Sequence, residues 1–176
     1  VVQGYSAFAN GGYKVEPYFV DRVEDAEGSL LHQTPRYQVC NDCENLQLGK
    51  HTKPAPRVID EQTAYIMDSI LKDVVRRGTA TAAKKLNRND IAGKTGTTNG
   101  PTDVWFSGYG GNITGTAWIG FDQNTNLGRK EFGGTAALPI WISFMEQALA
   151  GQPEVIHAQP AGLVTVKINP DTGNRA

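Results

Sequence analysis

The stretch Ile91-Ala92-Gly93-Lys94-Thr95-Gly96-Thr97-Thr98-Asn99-Gly100, "IAGKTGTTNG", admits two readings, and the choice between them decides the fold. Its "GKT" resembles the end of a phosphate-binding loop. Such a loop needs a glycine five positions before Gly93, and that position is Arg88. It also needs a following helix whose N-terminus faces the phosphate. Here "TTNGPTDVWF" offers a turn and then a strand. The second reading makes Lys94–Thr97 part of an edge strand. Thr95 and Thr97 lie two apart, so their hydroxyls share a face. Lys94 falls on the opposite face of an ideal strand, so a local twist or bulge must bring its ammonium round. Gly96 lets a ligand backbone lie close. A strand of this kind pairs with an extended peptide while its hydroxyls hold a terminal carboxylate.

The surroundings supply the other elements. "NGPT" and "GGN" are turn signals, and they separate expected strands at Ile91–Thr97, Val104–Tyr109 and Ile113–Phe121, antiparallel to one another. Before them, Asp60 is a helix cap. Ala64, Ile66–Met67, Ile70–Leu71 and Val74–Val75 form an apolar stripe, Arg76-Arg77 suit the negative helix end, and Gly78 terminates it. A short helix is expected near Ala80–Leu86. After the strands, Thr135 opens a helix with apolar residues at Ala136–Ala137, Ile140–Trp141, Phe144–Met145 and Ala148–Leu149, ended by Gly151. Helical spacing from Val1 to Ala9 stops at Gly11-Gly12. Residues 13–33 read as extended segments around a turn at Asp25–Ser29. Residues 34–57, with three prolines and both cysteines, read as an excursion loop. Leu163–Ile168 is expected as one more strand, within a C-terminal extension spanning 152–176. The fold class is therefore α+β, a mostly antiparallel sheet with flanking helices.

The chain of 176 residues carries 17 Lys and Arg against 18 Asp and Glu, a net charge of −1. Nothing in that balance calls for nucleic acid or an anionic membrane. No apolar run approaches the roughly 20 residues of a membrane span, and no signal peptide opens the chain. An opening in mid-helix without Met suggests a fragment, with any export signal or tether outside it.

A bare K-T-G tripeptide is a weak motif, but it is one of three found in penicillin-recognising serine enzymes. Around it, "FANGGYKVEPYFVDRVEDAEG" (8–28), "AYIMDSILKDVVRRGTA" (64–80), "IAGKTGTTN" (91–99), "DVWFSGY" (103–109), "TAWIGFD" (116–122) and "GGTAALPIW" (133–141) stand in order. Together they resemble the transpeptidase domain of class A penicillin-binding proteins, in particular the 1A group of Gram-negative bacteria. On that resemblance, residues 1–151 are the C-terminal part of the transpeptidase domain, incomplete in this chain.

The resemblance implies peptidoglycan cross-linking through a serine acyl-enzyme, with β-lactams imitating the D-Ala-D-Ala donor. It implies no cofactor and no metal at the site. Lys94 matches the family's K-T-G lysine, the candidate catalytic residue. Thr95 and Thr97 match its carboxylate-binding hydroxyls, Gly96 allows close approach, and the Thr97 N–H matches an oxyanion donor. The implied partners are peptidoglycan stem peptides, β-lactams and an upstream part of the same protein. The implied location is the periplasmic side of the bacterial inner membrane, anchored by a segment not in this chain. A serine β-lactamase and a non-catalytic penicillin-recognising sensor or scaffold are the alternatives.

The family also needs S-x-x-K and S-x-N. The chain's S-x-x-K is Ser69-Ile70-Leu71-Lys72, deep in the expected 60–77 helix and too near Lys94 in sequence for the family's nucleophile; no S-x-N occurs. Ser69 is therefore expected to face outward, and the nucleophile to lie upstream.

Other candidates carry ordinary explanations. His32, Cys40, Cys43 and His51 are symmetric, with seven residues between each His and its nearer Cys. Free thiols, a Cys40–Cys43 disulfide and a zinc site all remain open. Trp105, Phe106, Tyr109, Trp118 and Phe121 line a groove or pack the core, Trp105 and Tyr109 sharing strand parity. Asp103 shapes a cleft or caps a turn. Asp122 and Glu131 show no carboxylate-pair logic.

Overall fold

A computed structural model describes residues 1–40, 43 and 47–175. Positions 41–42 and 44–46, inside the expected excursion loop, lie outside the described residues, as does 176.

The centre is a three-stranded antiparallel sheet in the order β5-β6-β7: β5 Ala92–Thr97, β6 Asp103–Gly110 and β7 Ile113–Gly120. Its register sets Lys94 opposite Ser107, Thr95 opposite Phe106 and Gly96 opposite Trp105. Strand alternation then sorts the two faces. On one, Ala92 and Tyr109 pack with Leu71 of α2 (Glu61–Arg77) and against Tyr5, Phe8 and Ala9 of the α1 region (α1, Val2–Ala9). On the other, Val104, Phe106 and Ala117 join Val75 of α2 and Leu138, Trp141, Ile142 and Met145 of α3 (Leu138–Ala148) in the main core. Phe106 and Trp141 meet edge-on, ring centroids 4.8 Å apart.

Helix α2 begins as expected. Asp60 is its cap, and its carboxylate accepts from the Thr63 N–H at 2.8 Å. The buried face differs from the expected stripe. Ala64, Asp68, Leu71, Lys72 and Val75 are buried, whereas Ile66 and Ile70 are about half exposed. A charged pair takes the place of two isoleucines because Lys72 and Asp68, one turn apart, neutralise each other at 2.7 Å. Gly78 does end the helix, but in extended rather than left-handed backbone, with φ −105°. The reason for glycine is crowding: a Cβ there would lie 2.8 Å from the Val74 Cα.

The expected short helix is a 3-10 turn, Thr81–Leu86. The last helix opens earlier than Thr135, through a wide π-helical turn at Gly133–Ala137. Thr135 sits inside that turn. Its hydroxyl accepts from the Phe132 N–H at 3.0 Å and donates to the Lys130 carbonyl at 2.7 Å.

Two small ladders flank this body. β1 (Arg22–Glu24) and β2 (Leu30–Gln33) form the hairpin around Asp25–Ser29. β3 (Arg36–Gln38) and β4 (Thr52–Pro54) pair in parallel, so the 34–57 segment is tied at its base rather than structureless. Cys40 and Cys43 are joined in a disulfide. Both sulfurs are thereby occupied, which removes the thiolates that a zinc site would need. Leu163–Ile168 forms no strand. Val164 is 84% exposed, and the segment has only an isolated bridge from Ile168 to Arg175, too little to fix a ladder. Among the described residues, no helix is long and apolar enough to cross a membrane.

Candidate functional site

β5 is an edge strand, paired only with β6 among the described residues. It ends in a turn held by Thr98, whose hydroxyl accepts from the Thr102 and Asp103 N–H groups at 3.1 and 3.0 Å. Lys94 lies on the α1–α2 side by parity, while Thr95 and Thr97 point to the α3 side. No bulge is needed to bring them together. The Lys94 side chain folds back over its own strand, and Nζ donates to the Thr95 carbonyl at 2.8 Å and to Thr95 Oγ1 at 3.3 Å. A four-carbon stem reaches what strand alternation separates.

Thr97 Oγ1 accepts from the Gly133 N–H at 3.1 Å. This ties the strand to the wide turn that opens α3. The turn can approach only because it is glycine: a Cβ on Gly133 would come 2.6 Å from the Gly96 carbonyl oxygen. Gly96 itself lies opposite Trp105, where a Cβ would meet the Trp105 Cβ at 3.2 Å. Close cross-strand packing is thus a second reason for glycine in the motif.

The sequence reading missed Thr79. It follows Gly78 at the end of α2, and its Oγ1 lies 2.7 Å from Thr95 Oγ1. No periodicity marks it, because it stands in the irregular link between a helix and a 3-10 turn. The site is therefore an exposed ammonium beside three threonine hydroxyls and the N–H groups of an edge strand, a donor-rich surface suited to an anionic group. Among the described residues, no acidic side chain is hydrogen-bonded to this cluster.

The remaining candidates separate. Ser69 is exposed on α2, whereas Lys72 is buried with its ammonium given to Asp68. Phe106 and Tyr109 are core, while Trp118 and Phe121 are about half exposed. Trp105 and Trp118 pack as a tilted pair, centroids 5.8 Å apart. Asp103 holds that pair, accepting from Trp118 Nε1 at 2.9 Å. A groove of about 570 Å³ beyond the strand end is lined by Thr98, Asn99, Asp103, Trp118 and Phe121. Arg88, whose bulk argues against a phosphate loop, is instead a structural cation. It forms a two-pronged pair with Asp90 at 2.9 and 2.8 Å and donates to the carbonyls of Gln152 and Pro153. Burial raises the Asp90 pKa, but hydrogen bonds from Arg88, Val155 N–H and Gly111 N–H outweigh it and leave it below the ordinary value.

Comparison with known proteins places this geometry. Residues 1–145 match the family model of the penicillin-binding protein transpeptidase domain. Penicillin-binding protein 1A of Pseudomonas aeruginosa is 43% identical over an alignment covering 100% of this chain and 25% of that protein. Penicillin-binding protein 1A of Neisseria lactamica is 43% identical over 93% of this chain and 19% of its own length. The crystal structure of penicillin-binding protein 1A from Haemophilus influenzae superposes with a TM-score of 0.87 and 31% identity, over 99% of this chain and 29% of that one. The chain thus spans about a quarter or less of the curated relatives it matches. With an α+β fold, an antiparallel sheet and K-T-G on its edge strand, the chain belongs to the penicillin-binding protein transpeptidase family and covers part of that domain.

Proposed function

We propose that this chain supplies the K-T-G strand of a peptidoglycan D,D-transpeptidase, and that a serine upstream of Val1 supplies the nucleophile. The serine attacks the D-Ala-D-Ala carbonyl of a donor stem peptide, and the terminal D-Ala leaves with a proton. An amine on a neighbouring stem then attacks the acyl-enzyme and regenerates the serine. β-Lactams enter as donor mimics whose ring opens onto the same serine.

The observation that carries this reading is the meeting of Lys94 Nζ, Thr95 Oγ1 and Thr79 Oγ1 at the open edge of β5. An extended donor aligns with that edge by strand addition, and its terminal carboxylate sits among the ammonium and hydroxyls. Lys94 contributes positive charge to the proton network of the attacking hydroxyl. The Thr97 N–H is one donor to the developing oxyanion. Gly96 leaves room for the donor backbone. The chain by itself has no nucleophile in this scheme and is inactive alone. The same reading puts the protein on the periplasmic face of the inner membrane, anchored by a segment outside this chain.

A fluorescent penicillin tests the proposal. The full-length protein is expected to be acylated at a serine outside these 176 residues, and the isolated chain not at all. A label mapped to Ser69 would overturn the assignment.

A further inference from the structure

We infer that Thr79 is a positioning residue for the carboxylate of the donor, acting through Thr95; this rests on the function proposed above. A threonine hydroxyl has one hydrogen to donate and two lone pairs to accept with, and a carboxylate only accepts. Thr95 is useful to a carboxylate only if its hydrogen points outward. Lys94 Nζ donates to Thr95 Oγ1 at 3.3 Å and takes one lone pair. Thr79 Oγ1 lies 2.7 Å away, where either hydroxyl can give the hydrogen; in the arrangement inferred here Thr79 gives it, into the other lone pair of Thr95. With both lone pairs filled, donation to the ligand is what remains for Thr95. The cation at one end of the chain polarises its hydroxyl and strengthens the bond it gives.

The placement of Thr79 is built by rigid neighbours. The Gly78 and Ala80 N–H groups both donate to the Val74 carbonyl at 3.1 Å, closing the end of α2 just around Thr79. From the other side the 133–134 turn presses on it, since a Cβ on Gly134 would lie 2.9 Å from the Thr79 carbonyl oxygen. Helix end, edge strand and wide turn converge there, and Thr79, two residues past the end of α2, brings its hydroxyl to the motif. A hydroxyl held by packed elements orients its partner at little entropic cost when the ligand arrives.

The test compares two probes on the full-length protein: a penicillin with its free carboxylate and the methyl ester of the same penicillin. Thr79→Val keeps shape and removes the hydroxyl. Its second-order acylation rate is expected to fall about 10-fold with the free acid, roughly the worth of one hydrogen bond, and less than about 2-fold with the ester. Thr79→Ser is expected to restore the wild-type ratio of the two rates. That ratio does not depend on the folded fraction, so partial misfolding of a variant leaves the comparison valid. An equal fall on both probes, or no fall on either, overturns the role of Thr79. Lys94→Ala separates the two levels of argument. If it too leaves the free-acid rate unchanged, the carboxylate-grip reading itself fails. If it lowers that rate while Thr79→Val does not, only the present inference fails.

Discussion

Tyr109 on β6 donates its phenolic hydrogen to Asp68 on α2 over 2.9 Å, deep between helix and sheet. Lys72 takes the other carboxylate oxygen at 2.7 Å. Burial first, and the nearby Asp68 charge second, push the Tyr109 phenol above its ordinary range, so it remains a donor at any physiological pH. The trio fastens α2 to the strand partner of the K-T-G motif. Asp68→Ala strands a buried ammonium and is expected to cost about 3–5 kcal/mol. Tyr109→Phe removes one of two partners and costs about 1–2 kcal/mol. Denaturant unfolding of the full-length protein, followed by a probe in this region, measures both.

The Arg88–Asp90 pair gives a pH signature. Asp90 titrates below its ordinary value in the folded state. A depressed carboxylate pKa contributes stability that is fully present above the unfolded value, near pH 3.9, and is lost as pH falls through the folded one. Asp90→Asn is therefore expected to lower the unfolding midpoint at pH 7 and to match the parent at pH values below both pKa values. Parallel curves for parent and variant across the acid range would show that Asp90 is not the responsible group.

At the motif, Lys94→Ala is expected to slow acylation by penicillin about 100-fold, the scale of one removed electrostatic donor. Ser69→Ala is expected to change it less than about 2-fold, because an exposed helix serine away from the site contributes little. Stopped-flow or gel-based acylation of the full-length protein reads both.

Gly133→Ala places a methyl against the Gly96 carbonyl, at 2.6 Å before any relaxation. The wide turn must then move away, and Thr97 loses its bond from the Gly133 N–H. The expected result is a fall in acylation rate of about 10-fold, with thermal unfolding shifted by only a few degrees. Equal wild-type acylation in this variant would show that the turn does not support the strand.

The strands, their turns and the Asp60 cap were readable because short-range rules govern them: alternation, turn residues, a hydroxyl or carboxylate before an apolar run. The motif Lys94–Thr97 was readable as an edge strand for the same reason. What sequence reading could not reach depended on partners far along the chain. Ile66 and Ile70 look like core until Asp68 and Lys72 are seen to neutralise each other against Tyr109, 41 positions from Asp68. Lys94 looks misdirected until its stem is seen to fold back over Thr95. Thr79 has no local signal at all, since its significance comes only from lying beside Thr95. Leu163–Ile168 has strand composition, but no ladder accompanies it.

β7 pairs only with β6 among the described residues, and beside it Ile140 and Phe144 of α3 are each more than half exposed. An open row of amide groups next to an apolar ledge is a template for edge-to-edge growth. Recombinant work on this chain alone therefore confronts a colloidal problem before an enzymological one: inclusion bodies and soluble oligomers are the expected products, and a charge placed at Ile140 or Phe144 is the simplest way to keep the chain dispersed.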